Sequence, residues 1–277
     1  MTDLKKHFAV IGNPIHHSLS PQIHRAFAKE TGLDIDYKTI LSPLDEFKNT
    51  MHKLILQKLS GANVTLPFKK EAYQLVTSHS NHAKIAQAVN TLEFKEDEII
   101  GHNTDGIGLV RDLEQNLDVD LKSKKILLIG AGGAAEGVIY SMLEKKPSEL
   151  TLTNRTIEKS NVIKNKMDVH AKSFDVDLNV FEIANLPHQY FDLIINATSA
   201  GLNNADLDLN HKVFHEGSLA FDMMYGKETS FIREAQSQGS KTSDGLGMLV
   251  EQAAEAFFIW HHIKPQTKSV IESLRTL

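Results

Sequence analysis

"KKILLIGAGGAAEGVIYSMLEKK", residues 124–146, sets an apolar run directly before Gly130, Gly132 and Gly133 and follows them with a helical pattern. That order suits the phosphates of a dinucleotide. Gly130 permits the tight turn, Gly132 lets the backbone approach a pyrophosphate, and Ala135 is small enough to stand for a third glycine where the helix packs on its strand. The start of the helix then offers unpaired N–H groups and the positive end of its dipole. A glycine triplet alone serves equally as a packing turn; the strand before it and the helix after it favour a dinucleotide loop, Gly130 to Ala134 including Ala131.

The next strand, "ELTLTNRT" (149–156), carries the cofactor preference. An NAD site usually ends this strand in a carboxylate that accepts from the ribose 2′-OH. Here Asn154 takes that place, followed by Arg155, Thr156 and Lys159. A guanidinium fork and a hydroxyl can hold a 2′-phosphate that a carboxylate would repel, so the expected cofactor is NADP, with Glu158 the one opposing charge nearby.

Outward from this loop, short apolar runs alternate with helical patterns along the chain, as strands joined by crossover helices do. Downstream lie "LNVFEI", "FDLIINATSAGL", "SLAFDMMY" and two helical stretches separated by Pro265. Upstream, strands are expected at 7–12, 34–41 and 61–67, with a hairpin over 90–103. The helix "SPQIHRAFAKETG" is expected to take Ser20 as its N-cap, Pro21 as its first residue and Gly32 as its stop. At 277 residues two cores are expected rather than one. The fold class is α/β: an N-terminal α/β substrate domain over 1–103 with a C-terminal helix at about 246–277 packing back on it, and a Rossmann-type dinucleotide domain over 104–245, the cleft lying between the two.

A net charge of −5 without clustered Lys and Arg argues against a nucleic-acid partner. With no cysteine, disulfides, thiolate metal sites and a thiol nucleophile are excluded together. The 14 histidines include pairs at 16–17 and 261–262, but neither stands in an HExxH pattern, and no metal is expected. No leader peptide and no bilayer-length apolar stretch is visible, which favours a cytoplasmic protein with no membrane partner. Without a coiled-coil pattern or an apolar stripe to pair, a monomer or weak homodimer is expected.

Three polar clusters stand where an α/β fold collects ligands: "SLSP" (18–21), "NVTLPFK" (63–69), and "VNT" with "GHNTDG" (89–91 and 101–106). Read alone, the second is a strand end with a solvated basic turn, and Asp105 is a helix cap. Together their hydroxyls, amides, lysine and carboxylate suit a small ligand with one carboxylate and several hydroxyls.

In chain order, "SLSP", "GANVTLPFK", "AVNTL", "GHNTDG", "GAGGAA", "NRT", "NATSAGL", "DMMY" and "GLGMLVEQ" closely resemble the shikimate dehydrogenases, NADPH-linked reductases of aromatic amino-acid biosynthesis, over about residues 8–262. The resemblance implies that Ser18 and Ser20 hold the substrate carboxylate, and that Thr65, Asn90, Asp105, Tyr225 and Gln252 line its ring with Asn63 in support. It implies Lys69 and Asp105 as the catalytic pair. It implies a pyrophosphate cradled by Gly130 to Ala134, adenosine phosphate held by Asn154, Arg155, Thr156 and Lys159, and a nicotinamide half beside Thr198, Met223 and Gly245. After Tyr225 the sequence departs from the family: "YGKETSF" lacks two usual prolines and is one residue shorter. A quinate-using relative with NAD, and a non-catalytic NADP-binding sensor, are the alternatives. The folate dehydrogenases share the broad architecture but do not account for "SLSP" together with "NVTLPFK".

Overall fold

The computed structural model describes residues 5–96, 98–198, 207, 209 and 213–276. The chain forms two compact units, Met1–Gly108 with Leu249–Leu277, and Leu109–Met248. Both carry a six-stranded sheet.

The first unit contains β1 (Lys6–Gly12), α1 (Ser20–Thr31), β2 (Ile35–Leu41), α2 (Phe47–Leu56), β3 (Gly61–Val64), α3 (Lys69–Leu75), β4 (Ser78–His79), α4 (Asn81–Ala86), β5 (Thr91–Phe94) and β6 (Ile99–His102). Its strand order is β2-β1-β3-β5-β6-β4. β1 pairs parallel with β2 and β3, whereas β5 is antiparallel to both β3 and β6. The hairpin expected over 90–103 is thus present. β4 has only two residues, too short for sequence alternation to reveal.

Side chains alternate faces along β1. Phe8 and Val10 join Ile15, Tyr37, Ala256 and Trp260 in one apolar cluster, while Ile11 joins Phe47, Met51, Leu54, Val64 and Phe68 in another. The first cluster explains the C-terminal helix α9 (Leu246–His261): Ala253, Phe257 and Trp260 are buried, and the Trp260 indole N–H donates to the Leu92 carbonyl at 3.0 Å. α10 (Lys268–Arg275) buries Val270, Ile271 and Leu274.

The chain passes between the units within α5 (Asp105–Arg111) and again within α9. The helix expected over 106–116 is present as α5 continued by one π-helical turn, Asp112–Asn116. The second unit then runs β7 (Lys125–Ile129), α6 (Gly133–Glu144), β8 (Glu149–Thr153), α7 (Ile157–Phe174), β9 (Asp177–Phe181), β10 (Leu193–Asn196), β11 (Leu219–Asp222), α8 (Ser230–Ser237) and β12 (Lys241–Asp244). All its pairings are parallel, in the order β12-β11-β10-β7-β8-β9. That is the doubly wound dinucleotide-binding order, reversing direction at β7. β10 and β11 are buried along their whole length, as strands covered by helices on both faces must be.

Candidate active site

Lys69 opens α3. The preceding Phe68 is fully buried and stacks on Phe47 at 4.8 Å and 12°, so the ring anchors the turn in the core. The Lys69 side chain is 19% exposed, and its ammonium meets Asp105 Oδ2 at 2.6 Å. β3 stops at Val64, earlier than the expected 67: Thr65 N–H still reaches the Ile11 carbonyl at 2.9 Å, but Pro67 has no N–H to continue the ladder. Gly12 has no room for a side chain, because a Cβ there would lie 2.4 Å from Thr65 Cγ2. That close approach seats Thr65, half-buried, beside the end of β1.

Asp105 is the first residue of α5, but its oxygens are occupied elsewhere: Oδ2 accepts from Lys69 and Oδ1 from the Asn90 amide at 2.8 Å. Asn90 Nδ2 also lies 3.3 Å from Gln252 Oε1, with Thr104 Oγ1 3.3 Å from the same oxygen. Asn90 Oδ1 accepts the Thr104 N–H at 2.9 Å, which fixes the orientation of its amide. Asn63 donates to the Asn90 carbonyl at 3.2 Å and to Thr91 Oγ1 at 3.0 Å. Asn63, Lys69, Asn90, Asp105 and Gln252, spread over nearly 190 positions of sequence, therefore form one network.

Ser18 and Ser20 form a second group. Ser20 is not the cap of α1 as expected; Leu19 holds that position, without a side-chain cap bond. The Ser18 hydroxyl instead accepts the Ser20 N–H at 3.3 Å and donates to the Ser20 hydroxyl at 3.2 Å. Two hydroxyls at the amino end of a 12-residue helix favour a carboxylate.

In the second unit, Gly130 adopts φ +118°, with the Ala197 backbone 3.1 Å from where a Cβ would stand. A Cβ on Gly132 or Gly133 would meet nothing within 4 Å, so packing inside the unit does not demand glycine there. α6 starts at Gly133 with no side chain on its cap, leaving its first N–H groups available. The bare loop, half-exposed Ala131 and Ala134, and the open helix end fit a pyrophosphate. At the end of β8, Asn154 Nδ2 donates to the Thr156 carbonyl at 2.9 Å, closing a turn from which Arg155, Thr156 and Lys159 are exposed.

Thr198 and Met223 both bond the buried Asn196, the first through its side chain and the second through its backbone carbonyl. Asn196 Oδ1 accepts the N–H and hydroxyl of Thr198 at 3.0 and 2.7 Å, and Asn196 Nδ2 donates to Asp222 Oδ2 at 3.2 Å. Met223 N–H bonds the Asn196 carbonyl at 2.9 Å, and Gly245 leaves room for the Met223 backbone, which a Cβ would approach within 2.3 Å. Where the prolines are missing, Gly226 takes φ +81°, and Thr229 caps α8 while its hydroxyl donates to Asp222 Oδ2 at 2.6 Å. Tyr225 is half-buried, and burial raises its phenol pKa. Residues 199–202 of "NATSAGL" lie outside the described residues.

Three family models match the chain: the shikimate dehydrogenase substrate binding domain over residues 10–92, shikimate / quinate 5-dehydrogenase over 112–216, and the shikimate 5′-dehydrogenase C-terminal domain over 245–275. The chain belongs to the shikimate dehydrogenase family. Among its relatives is the shikimate dehydrogenase (NADP(+)) of Methylobacillus flagellatus, 48% identical over 97% of this chain and 98% of the relative. The crystal structure of an Ael1 enzyme from Pseudomonas putida superposes with a TM-score of 0.92 at 39% identity, covering 98% of each chain. The shikimate 5-dehydrogenase of Thermus thermophilus, solved in complex with NADP(H) and shikimate, superposes with a TM-score of 0.85 at 30% identity, over 98% of this chain and 99% of that one.

As a shikimate dehydrogenase family member the chain is an oxidoreductase acting on a CH–OH group. Sequence reasoning passed over four polar residues. In the first unit Thr91 and Thr104 complete the amide network, and in the second Asn196 and Asp222 bond each other and order the backbone that follows each of them. All four lie inside stretches that carry the resemblance, but their hydrogen bonds cross between strands, which spacing does not reveal.

Proposed function

We propose that this chain catalyses the reversible, NADPH-dependent reduction of 3-dehydroshikimate to shikimate, with Lys69 as proton donor and acceptor and Asp105 as its partner. The observation that supports this most directly is the 2.6 Å contact between Lys69 Nζ and Asp105 Oδ2 inside a network of buried amides. The dinucleotide, when bound, supplies the hydride to the ketone carbon. Negative charge then grows on the ketone oxygen, and the Lys69 ammonium gives it a proton, leaving a neutral amine that takes one back in the reverse reaction. Asp105 holds the ammonium in place and accepts from a ring hydroxyl. Ser18 and Ser20 bind the carboxylate, Asn63, Thr65, Asn90, Tyr225 and Gln252 complete the ring's surroundings, and Thr198, Met223 and Gly245 border the nicotinamide.

In this reading residues 1–103 with the C-terminal helix carry the substrate and 104–245 carry NADP. The protein is cytoplasmic, works on a small molecule, and is a monomer or weak homodimer. Among the described residues no helix is long and apolar enough to cross a membrane.

A four-way rate assay pairing shikimate or quinate with NADP or NAD tests substrate and cofactor together. Turnover confined to shikimate with NADP is expected. Dominant turnover of quinate with NAD would favour the second reading, since one matching family model covers shikimate and quinate dehydrogenases together. Silence of the folded protein in all four mixtures would leave the sensor. Lys69→Ala is expected to lower kcat by roughly 10²- to 10⁴-fold with a smaller change in KM. Unchanged turnover would remove Lys69 from the chemistry.

A further inference from the structure

Tyr37 lies on β2, in none of the stretches that carry the family resemblance, yet its phenol is buried at 4% exposure. Its ring stacks flat on the fully buried His24, at 4.3 Å and 9°, within the cluster of Phe8, Val10, Ile15 and Trp260. Neither ring nitrogen of His24 makes a hydrogen bond of good geometry, though the Asn63 amide lies nearby, and the imidazole serves as a flat plate against the phenol. The Tyr37 hydroxyl donates to Asn63 Oδ1 at 2.6 Å, and the Ser20 hydroxyl stands beside the phenol oxygen. Burial raises the phenol pKa, so it keeps its proton to donate.

From Asn63 the bonds continue in one sense. Asn63 Nδ2 donates to Thr91 Oγ1 at 3.0 Å, Thr91 Oγ1 donates to Asn90 Oδ1 at 3.1 Å, and Asn90 Nδ2 donates to Asp105 Oδ1 at 2.8 Å. Asp105 presents its other oxygen to Lys69. Each amide has one workable orientation once Tyr37 donates at one end and the Thr104 N–H at the other. Removing the phenol oxygen would leave Asn63 Oδ1 buried without its donor, so the amide loses the bond that anchors it at this end of the chain and its hold on Thr91 Oγ1 and the Asn90 carbonyl loosens.

We propose that Tyr37 is a positioning residue for the reaction: through Asn63, Thr91 and Asn90 it holds the Asp105 carboxylate in register with Lys69, and through Ser20 it ties that register to the carboxylate-binding hydroxyls. This rests on the reading of Lys69 and Asp105 as the catalytic pair. Positioning through several bonds acts on turnover more than on substrate binding, and a small displacement of reacting groups is costly.

The test is Tyr37→Phe, which keeps the ring on His24, beside Thr91→Val, which breaks the same chain at its middle, and the double variant. Shikimate oxidation with NADP is followed across pH, with Lys69→Ala as the reference. Expected are a fall in kcat of about 10- to 100-fold for each single variant, a change in KM below about threefold, and a displaced pH profile of kcat. The double variant should fall no further than the less active single variant, because one chain can be broken only once. Parental kcat and pH profile in either folded single variant would overturn the proposal, as would losses that multiply in the double variant. If Lys69→Ala keeps its turnover, the catalytic pair itself is wrong; if Lys69→Ala is inactive while Tyr37→Phe is unchanged, only the role of Tyr37 fails.

Discussion

His24 shows how one buried side chain sets the response of the fold to acid. Complete burial drives its pKa from 6.5 down to about 3, and the nearby His261 acts in the same direction. An unfolded histidine binds a proton near pH 6.5 that the folded one refuses, so between pH 6.5 and about 3 the unfolded chain holds more protons. This contribution to stability is intact above the unfolded pKa and is lost as pH falls, by up to about 1.4 kcal/mol per pH unit. In His24→Phe, which retains an aromatic face for Tyr37, urea unfolding at pH 7, 6 and 5.5 should show a shallower fall in stability than the parent. Equal slopes would mean that the imidazole titrates freely in the folded state.

Residue types marked the polar clusters that hold Lys69, Asp105, Asn90 and the serine pair, because polar groups at strand ends stand out against an apolar background, while the roles expected of them came from the family resemblance. Two details were hidden. Ser20 reads as a helix cap in the sequence, yet the backbone places it one position inside the helix. Tyr37 reads as an ordinary strand aromatic, and only its 2.6 Å bond to Asn63 sets it apart.

At the scale of the element, the turn from β8 into α7 is where the proposal places the cofactor choice. Asn154 closes it with a bond to the Thr156 carbonyl, and Arg155 remains exposed. A charge-assisted contact of guanidinium with phosphate contributes about 1.5–3 kcal/mol. Arg155→Ala should therefore raise KM for NADP by roughly tenfold or more while leaving KM for NAD within about twofold, as measured by steady-state kinetics with both cofactors. Equal changes for the two would show that Arg155 does not read the 2′-phosphate.

The glycine loop before that turn was legible for a physical reason: the positive φ of Gly130 and its contact with the Ala197 backbone leave few residue types that fit. Short or polar elements were not. β4 has two residues, and β12, Lys241–Asp244, is polar at every position with no buried residue, so neither shows the apolar alternation that marks a strand.

For the whole molecule, the C-terminal helix is the test of how distant sequence completes a core. Phe257 on α9 is fully buried, with its ring centroid 5.6 Å from that of Phe27 on α1, more than two hundred positions earlier. Phe257→Ala should cost about 3–5 kcal/mol, the range for a buried aromatic truncated to a cavity. Trp260 is the only tryptophan and lies in the same unit, so its fluorescence during urea unfolding reports the loss directly. A cost below about 1 kcal/mol would mean that the helix packs on the unit without supporting it.

The sequence by itself determined the α/β class and the chemical types in the polar clusters, because apolar periodicity, a glycine loop and polar strand ends are local properties that spacing records, and its nine motifs in order carried the resemblance to the family. The tertiary structure alone decided which polar groups meet. Tyr37, Asn63 and Thr91 come from three strands, Asn90 precedes Thr91, Asp105 starts a helix, and the Gln252 amide oxygen arrives from α9, 3.3 Å from Asn90. A hydrogen bond requires approach within about 3 Å and one orientation of donor and acceptor. Those conditions arise only when strands pair and helices return, so no spacing along the chain contains them.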